Sequence, residues 1–173
     1  DWSSDVCSSD LTHVSWKDAV DFCDKLTELE RAAGRLPDGY RYGLPSEAEW
    51  EYACRGGNEG EFCFGNDEGK LRDYAVYGKP LAGGHAETVR SKKPNAFGLY
   101  DMHGNVWEWC ADYADYTNSK VVTDTYVNNV TDPLCLSGSQ RVYRGGSWSD
   151  GPAFCRSADR YCNDPANADL SLG

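Results

Sequence analysis

Only two stretches of this chain keep a hydrophobic period long enough to make a helix; the rest sets short aromatic islands among glycines. In the first stretch Ser15 and Asp18 stand at capping-box spacing, and Val14, Ala19, Phe22, Cys23, Leu26 and Leu29 recur at helical intervals until Gly34. That pattern predicts an amphipathic helix. In the second, Ser46 and Glu49 repeat the box and Gly56 with Gly57 close the run. Between them Pro37, Asp38 and Gly39 make a turn, and residues 40–44 suit a short strand. From 58 to 95 glycine and charge dominate around Phe62, Phe64, Tyr74 and Tyr77, which reads as loops pinned by rings. Residues 96–112, AFGLYDMHGNVWEWCAD, are dense in aromatics around one glycine-bearing turn, and residues 141–148, RVYRGGSW, form a strand running into a double glycine. No internal repeat is visible.

The chain has 173 residues, 40% of them hydrophobic, with 6 Trp, 11 Tyr and 5 Phe. It is long enough for one domain with a real core and too rich in large anchors to stay disordered. The net charge of -11 repels a phosphate backbone, so nucleic acid is not an expected partner. No apolar run approaches the roughly 18 residues of a membrane span, and no signal-peptide order is present. Residues 1–11, DWSSDVCSSDL, carry no helical or strand period and resemble a translated sequencing adaptor. The expected organisation is therefore a non-native segment at 1–11, with the true N-terminus missing, followed by one domain over 12–173. Localisation stays open between a cell surface and the cytoplasm, in a prokaryotic or phage-encoded setting.

Three segments carry a family resemblance: GLPSEAEWEYACRGG at 43–57, PNAFGLYDMHGNVWEWCAD at 94–112, and RVYRGGSW with CRSADR across 141–160. Together and in this order they resemble the formylglycine-generating enzyme family, the sulfatase-modifying factors, over essentially all of 12–173. The resemblance implies an α+β fold, a variant of the C-type lectin fold with a small antiparallel sheet, two helices and long loops. Trp50, Trp107, Trp109 and Trp148 are expected as anchors under the loops. Trp107 and Ser147 match family positions that line the catalytic pocket, and are read here as scaffold. The family continues past LSLG with a short strand beginning Phe-Arg, so a truncated C-terminus is expected.

The resemblance also implies metals. Asp101, Gly104, Val106 and Glu108 match positions where the family holds calcium, and two carboxylates around a turn with inward carbonyls suit a hard cation. Structural calcium is the expected cofactor, against the alternative that both carboxylates cap turn amides. The family's oxidase binds copper through two cysteines just after the RGGSW strand; here that stretch is residues 149–154, without a thiol, so no copper is expected. His13, His85 and His103 are scattered and predict no zinc or iron site, His103 being a local hydrogen-bonding residue. Cys110 with Cys155 is the preferred disulfide, with free buried thiols the alternative.

A compositional break marks the C-terminus. From Val142 to Gly173 there is no Lys, Glu, Gln or Met, whereas residues 12–141 hold 7 Lys, 10 Glu, 1 Gln and 1 Met. Randomising the adenines of asparagine codons can never produce those four residues or Trp. The pattern resembles the variable proteins of diversity-generating retroelements. By that resemblance the diversified, ligand-binding positions are Tyr143, Ser149, Asp150, Gly151, Pro152, Ala153 and Phe154, then Asp159, Tyr161, Asn163 and Asp164, then Ala166, Asn167, Ala168, Asp169, Leu170 and Ser171. Tyr143, Phe154, Tyr161 and Leu170 would give anchoring area, and the Asp and Asn side chains hydrogen bonds. The expected function is a non-catalytic module that recognises a protein or cell-surface ligand. The alternatives are an oxidoreductase of formylglycine-generating type acting on a peptide or small molecule, and a structural accessory domain.

Overall fold

A computed structural model describes residues 12–123 and 130–173; the segment at 1–11 lies outside the described residues. Helix α1 (Trp16–Ala32) begins as its sequence dictates, with the Ser15 hydroxyl accepting from the Asp18 amide and the Asp18 carboxylate accepting from the Ser15 amide. Its expected apolar face is not buried, since Phe22 and Leu29 are 57% and 46% exposed. The helix docks by its first turn instead. The Trp16 indole donates to the Cys110 carbonyl at 2.9 Å, and Trp16 and Ala19 pack on Trp107 and Trp109. Residues 40–44 run extended but join no sheet: the Tyr42 amide donates to the Thr27 hydroxyl and the Arg31 guanidinium to the Tyr40 carbonyl, replacing a ladder. Helix α2 (Glu47–Arg55) has the second capping box and stops at Gly56, which takes φ +56°. A third helix, α3 (Leu71–Tyr74), is one turn long and has no periodic signature in the sequence.

Four strands form an antiparallel sheet in the order β2-β1-β3-β4, with β1 at Glu108–Thr117, β2 at Lys120–Val122, β3 at Gln140–Arg144 and β4 at Tyr161–Asn163. Strands β1 and β2 meet through Asn118 and Ser119, both at positive φ, the geometry of a tight two-residue hairpin. The β1–β3 register shifts between Trp109 and Tyr113. The peptide groups released by that irregularity hold the neighbouring elements: the Ala111 amide donates to the Pro45 carbonyl, the Tyr113 amide to Cys135, and Arg141 to the Ala111 carbonyl. Buried Asp112 accepts from the amides of Glu47 and Cys135, tying α2 and the 135 loop to one strand.

Among the described residues three clusters make the core. Trp50, Cys54, Cys110, Val142 and Cys162 lie between α2 and the sheet; Phe62, Leu71, Ala75 and Cys155 lie under the 58–95 loops; Trp107, Trp109, Tyr143 and Leu172 lie under the C-terminal segment. The expected Cys110–Cys155 disulfide is corrected by this arrangement. The two cysteines belong to different clusters, and the cysteines of the described residues are free thiols.

Charge is also buried. Glu47, with no exposed surface, binds the Arg160 guanidinium with both carboxylate oxygens and lies 3.0 Å from Nε of the equally buried Arg144. Arg144 also pairs with Glu51 and donates to the carbonyls of Ser157 and Asp159. The network joins α2, β3 and the loop that leads into β4. Arg141 is held differently, its guanidinium carbon 3.7 Å from the Trp16 ring centroid and 3.3 Å from that of Tyr113.

Candidate functional site

Among the positions singled out near the C-terminus, Tyr143 and Tyr161 join an aromatic cluster with Trp107. Trp107 and Tyr143 are buried with ring centroids 5.0 Å apart, edge to face, and Tyr143 stands 5.7 Å from Tyr161. Burial first, then the nearby charges of Tyr161, Asp169, Cys162 and Asp150, push the Tyr143 phenol up from its ordinary value. Tyr143 itself corrects an expectation: it is 7% exposed and packs with Trp107, Trp109 and Leu172, so it supports the face rather than offering contact area. Phe154, Tyr161 and Leu170 do stand out, at 43%, 36% and 59% exposure. Ala153, Asp164, Ala166, Ala168 and Asp169 are exposed too, while Ser149, Asp150, Gly151, Pro152, Asp159, Asn163, Asn167 and Ser171 are half-buried.

The acidic positions behave differently from the sequence reading. The Asp150 carboxylate accepts from both the amide and the hydroxyl of Ser147, Asp164 accepts from the Ala166 amide, and Asp169 from the amide and hydroxyl of Ser171. Asp159 lies 3.6 Å from Arg156. Asp150, Asp164 and Asp169 thus close their own turns, as short Asp side chains do in loops, and spend part of their hydrogen-bonding capacity within the tail.

The backbone of the tail is stitched to the frame. The carbonyls of Pro165, Asp169 and Ser171 accept from the amides of Trp16, His13 and Trp107, and the Leu170 carbonyl accepts from the Trp148 indole. Leu172 bridges Trp107. On the other side, the amides of Gly78 and Lys79 donate to the carbonyls of Asp150 and Trp148.

The turn with the expected calcium positions sits apart from this face. Asp101, Val106 and Glu108 line one cavity of about 330 Å³ together with Arg90 and Asn105. Gly104 does not line it. Its φ is +96° and an added Cβ would stand 2.3 Å from the Val76 carbonyl, so glycine is needed there for close approach. One oxygen of Glu108 accepts from the Trp50 indole at 2.6 Å, and one of Asp101 from the Arg90 amide at 2.8 Å. Burial raises the Asp101 carboxyl above its ordinary range. Among the described residues no group of three or more His, Cys, Asp or Glu side chains is placed to hold a metal.

His103 is 1% exposed and more central than its sequence suggests. Its Nδ1 donates to the Cys155 carbonyl at 2.7 Å and its Nε2 accepts from the Cys63 amide at 3.1 Å, which selects the neutral tautomer protonated on Nδ1. Burial lowers its pKa, consistent with that assignment. Nothing in residue spacing could have shown that one imidazole joins the 63, 103 and 155 loops.

The donors for copper do not fit. Residues 149–154 contain no thiol, and Cys155 and Cys162, the next in sequence, are buried with their thiols pushed up by desolvation, Cys162 to about 11. A soft ion needs two thiolates close together, and these two sulfurs belong to different core clusters.

Comparison with known proteins fits this geometry. The model of the sulfatase-modifying factor enzyme 1-like domain matches residues 7–173. The formylglycine-generating enzyme of Streptomyces coelicolor is 36% identical over 179 residues, covering 94% of this chain and 50% of the relative. The inactive C-alpha-formylglycine-generating enzyme 2 of Mus musculus is likewise 36% identical, over 177 residues, with 94% and 47% covered. The chain thus spans about half the length of these relatives. Among solved structures, Treponema denticola variable protein 1 superposes with a TM-score of 0.80 at 30% identity, over 100% of this chain and 72% of that one. The α+β frame, its capped helices and the RGGSW strand are those of one family: the chain belongs to the formylglycine-generating enzyme, or sulfatase-modifying factor, family.

Proposed function

We propose that this chain is a ligand-binding member of the family whose C-terminal segment is diversified, in the manner of the variable proteins of diversity-generating retroelements. The observation that carries the reading is the arrangement of the tail: Phe154, Tyr161 and Leu170 stand exposed, Tyr161 beside the buried Trp107–Tyr143 pair, while main-chain bonds hold the segment in place. The likeness to a variable protein supports it. A protein or cell-surface ligand suits a face of exposed rings and leucine with a polar rim. Sequencing sibling copies of the gene tests it. Substitutions confined to codons of the exposed tail, and drawn from the set without Lys, Glu, Gln, Met and Trp, are expected; identical copies would end the proposal.

The family's named enzymes supply a second reading, an oxidoreductase acting on a peptide or small molecule. The lack of a thiol in residues 149–154, just after the RGGSW strand, weighs against it. Copper-dependent oxygen uptake with a cysteine peptide of sulfatase type would restore it.

For the turn at 101–108 we propose structural calcium, held by Asp101, Glu108 and the carbonyls of Gly104 and Val106. Its support is that Asp101, with a carboxyl raised by burial, and Glu108 open on one cavity. Calcium titration followed by thermal unfolding should raise the midpoint of the wild type and leave Asp101→Asn unmoved; equal curves would remove the ion.

A further inference from the structure

The hairpin between β1 and β2 closes a cavity of about 410 Å³ against the tail, and its two walls come from different parts of the chain. One wall is Phe154, Asp159 and Tyr161; the other is Tyr116, Ser119 and Lys120. The rings of Tyr116 and Tyr161 lie 5.3 Å apart and tilted, so the two walls meet there. The hairpin wall is held firmly, because Asn118 and Ser119 form the tight turn and Lys120 pairs with Thr117 in register.

The charges on these walls are unequal. Arg160 is committed to Glu47 and to the Thr123 hydroxyl, and Asp159 faces Arg156. Lys120 is exposed and has no ion-pair partner among the described residues. Ser119 and Tyr116 line the same cavity, so this side carries two hydroxyls as well as the ammonium. The second observation is in the sequence: residues 142–173 contain no Lys. An ammonium at this cavity comes only from outside the segment read as diversified.

We propose that the hairpin is a constant, cation-bearing half of the binding site, in which Lys120, Ser119 and Tyr116 receive an acidic side chain of a protein ligand, while Phe154, Asp159 and Tyr161 set what surrounds that carboxylate. This rests on the ligand-binding reading above and adds its chemistry. Copies with different tails would recognise different surfaces, each with an Asp or Glu at this point.

The test uses the full chain and a phage-displayed random peptide library. Selected peptides are expected to share an Asp or Glu, to lose binding when it becomes Asn or Gln, and to bind Lys120→Gln about three- to five-fold more weakly, as removal of one exposed ion pair predicts. Their affinity should also fall as salt rises. Lys120 is exposed, so the variant should unfold at the wild-type midpoint, which separates lost binding from lost fold. Peptides that are lost on Phe154→Ala or Tyr161→Ala but need no acidic residue and bind Lys120→Gln equally well overturn the acidic chemistry and leave the ligand-binding face standing. A library that yields no peptide sensitive to either wall overturns both.

Discussion

Glu47→Gln is the most informative single change outside the candidate face. The glutamine has nearly the shape of the glutamate, so packing is kept while one buried negative charge disappears between two guanidinium groups. Breaking a buried ion pair by removing one partner costs about 3–5 kcal/mol. Here Arg144 keeps Glu51 and Arg160 is 26% exposed, which places the expected loss at the lower end, about 3 kcal/mol. For a protein of this size that lowers the thermal midpoint by about 6–12 °C. In urea the midpoint should fall by about 1.5 M with an unchanged slope. The measurement is urea unfolding followed by tryptophan fluorescence at neutral pH. A loss below about 1 kcal/mol would refute the idea that this carboxylate carries the junction of α2, β3 and the loop before β4.

Three further outcomes follow from the geometry. His103 is held neutral with a pKa below 6.5, so the unfolded chain takes up a proton that the folded chain refuses; its stabilisation is complete above about pH 6.5 and fades as the pH falls through that value. The raised carboxyls of Asp101 and Asp159 act in the opposite sense, so the comparison is with His103→Gln, whose urea midpoint should fall less between neutral pH and about pH 5.5 than that of the wild type. Tyr143→Ala should cost about 3–5 kcal/mol by calorimetry because its ring is packed on three sides, whereas Phe154→Ala and Leu170→Ala should each stay within about 0.5 kcal/mol. Gly104→Ala should fail to reach the native near-ultraviolet circular dichroism spectrum, since its Cβ would stand 2.3 Å from the Val76 carbonyl.

Local signals were the readable ones. Both helix starts are visible as capping boxes because such caps are decided within four residues, and the double glycine of RGGSW marks the end of β3 because Gly145 and Gly146 both take positive φ. The extended 40–44 segment looked like a strand because pairing depends on a partner, and Thr27 with Arg31 supplied bonds that no local pattern announces. The open face of α1 was likewise hidden, since periodicity shows that Phe22 and Leu29 share a side and not that anything covers it. At the face, exposure of Phe154, Tyr161 and Leu170 was readable, but the turn-closing roles of Asp150, Asp164 and Asp169 were not. They depend on where a neighbouring hydroxyl or amide comes to rest. The ring of Tyr143 was misplaced for a similar reason: alternation along β3 does not reveal that Trp107 and Leu172 lie across it.

The stitching of the tail has a consequence for how its residues can be exchanged. Pro165, Asp169, Leu170 and Ser171 are tied down through carbonyl oxygens, atoms that all twenty amino acids share, and the donors that hold them come from residues outside the exchangeable set. Replacing Ala166, Ala168 or Leu170 therefore alters what protrudes without loosening a knot. At Asp150, Asn163, Asp164, Asp169 and Ser171 the side chain itself is part of the fastening; a short polar residue can take over such a bond, and a bulky hydrocarbon cannot. The tolerance of this surface to new sequences is thus graded position by position, by whether the thread runs through the peptide group or through the residue's own oxygen.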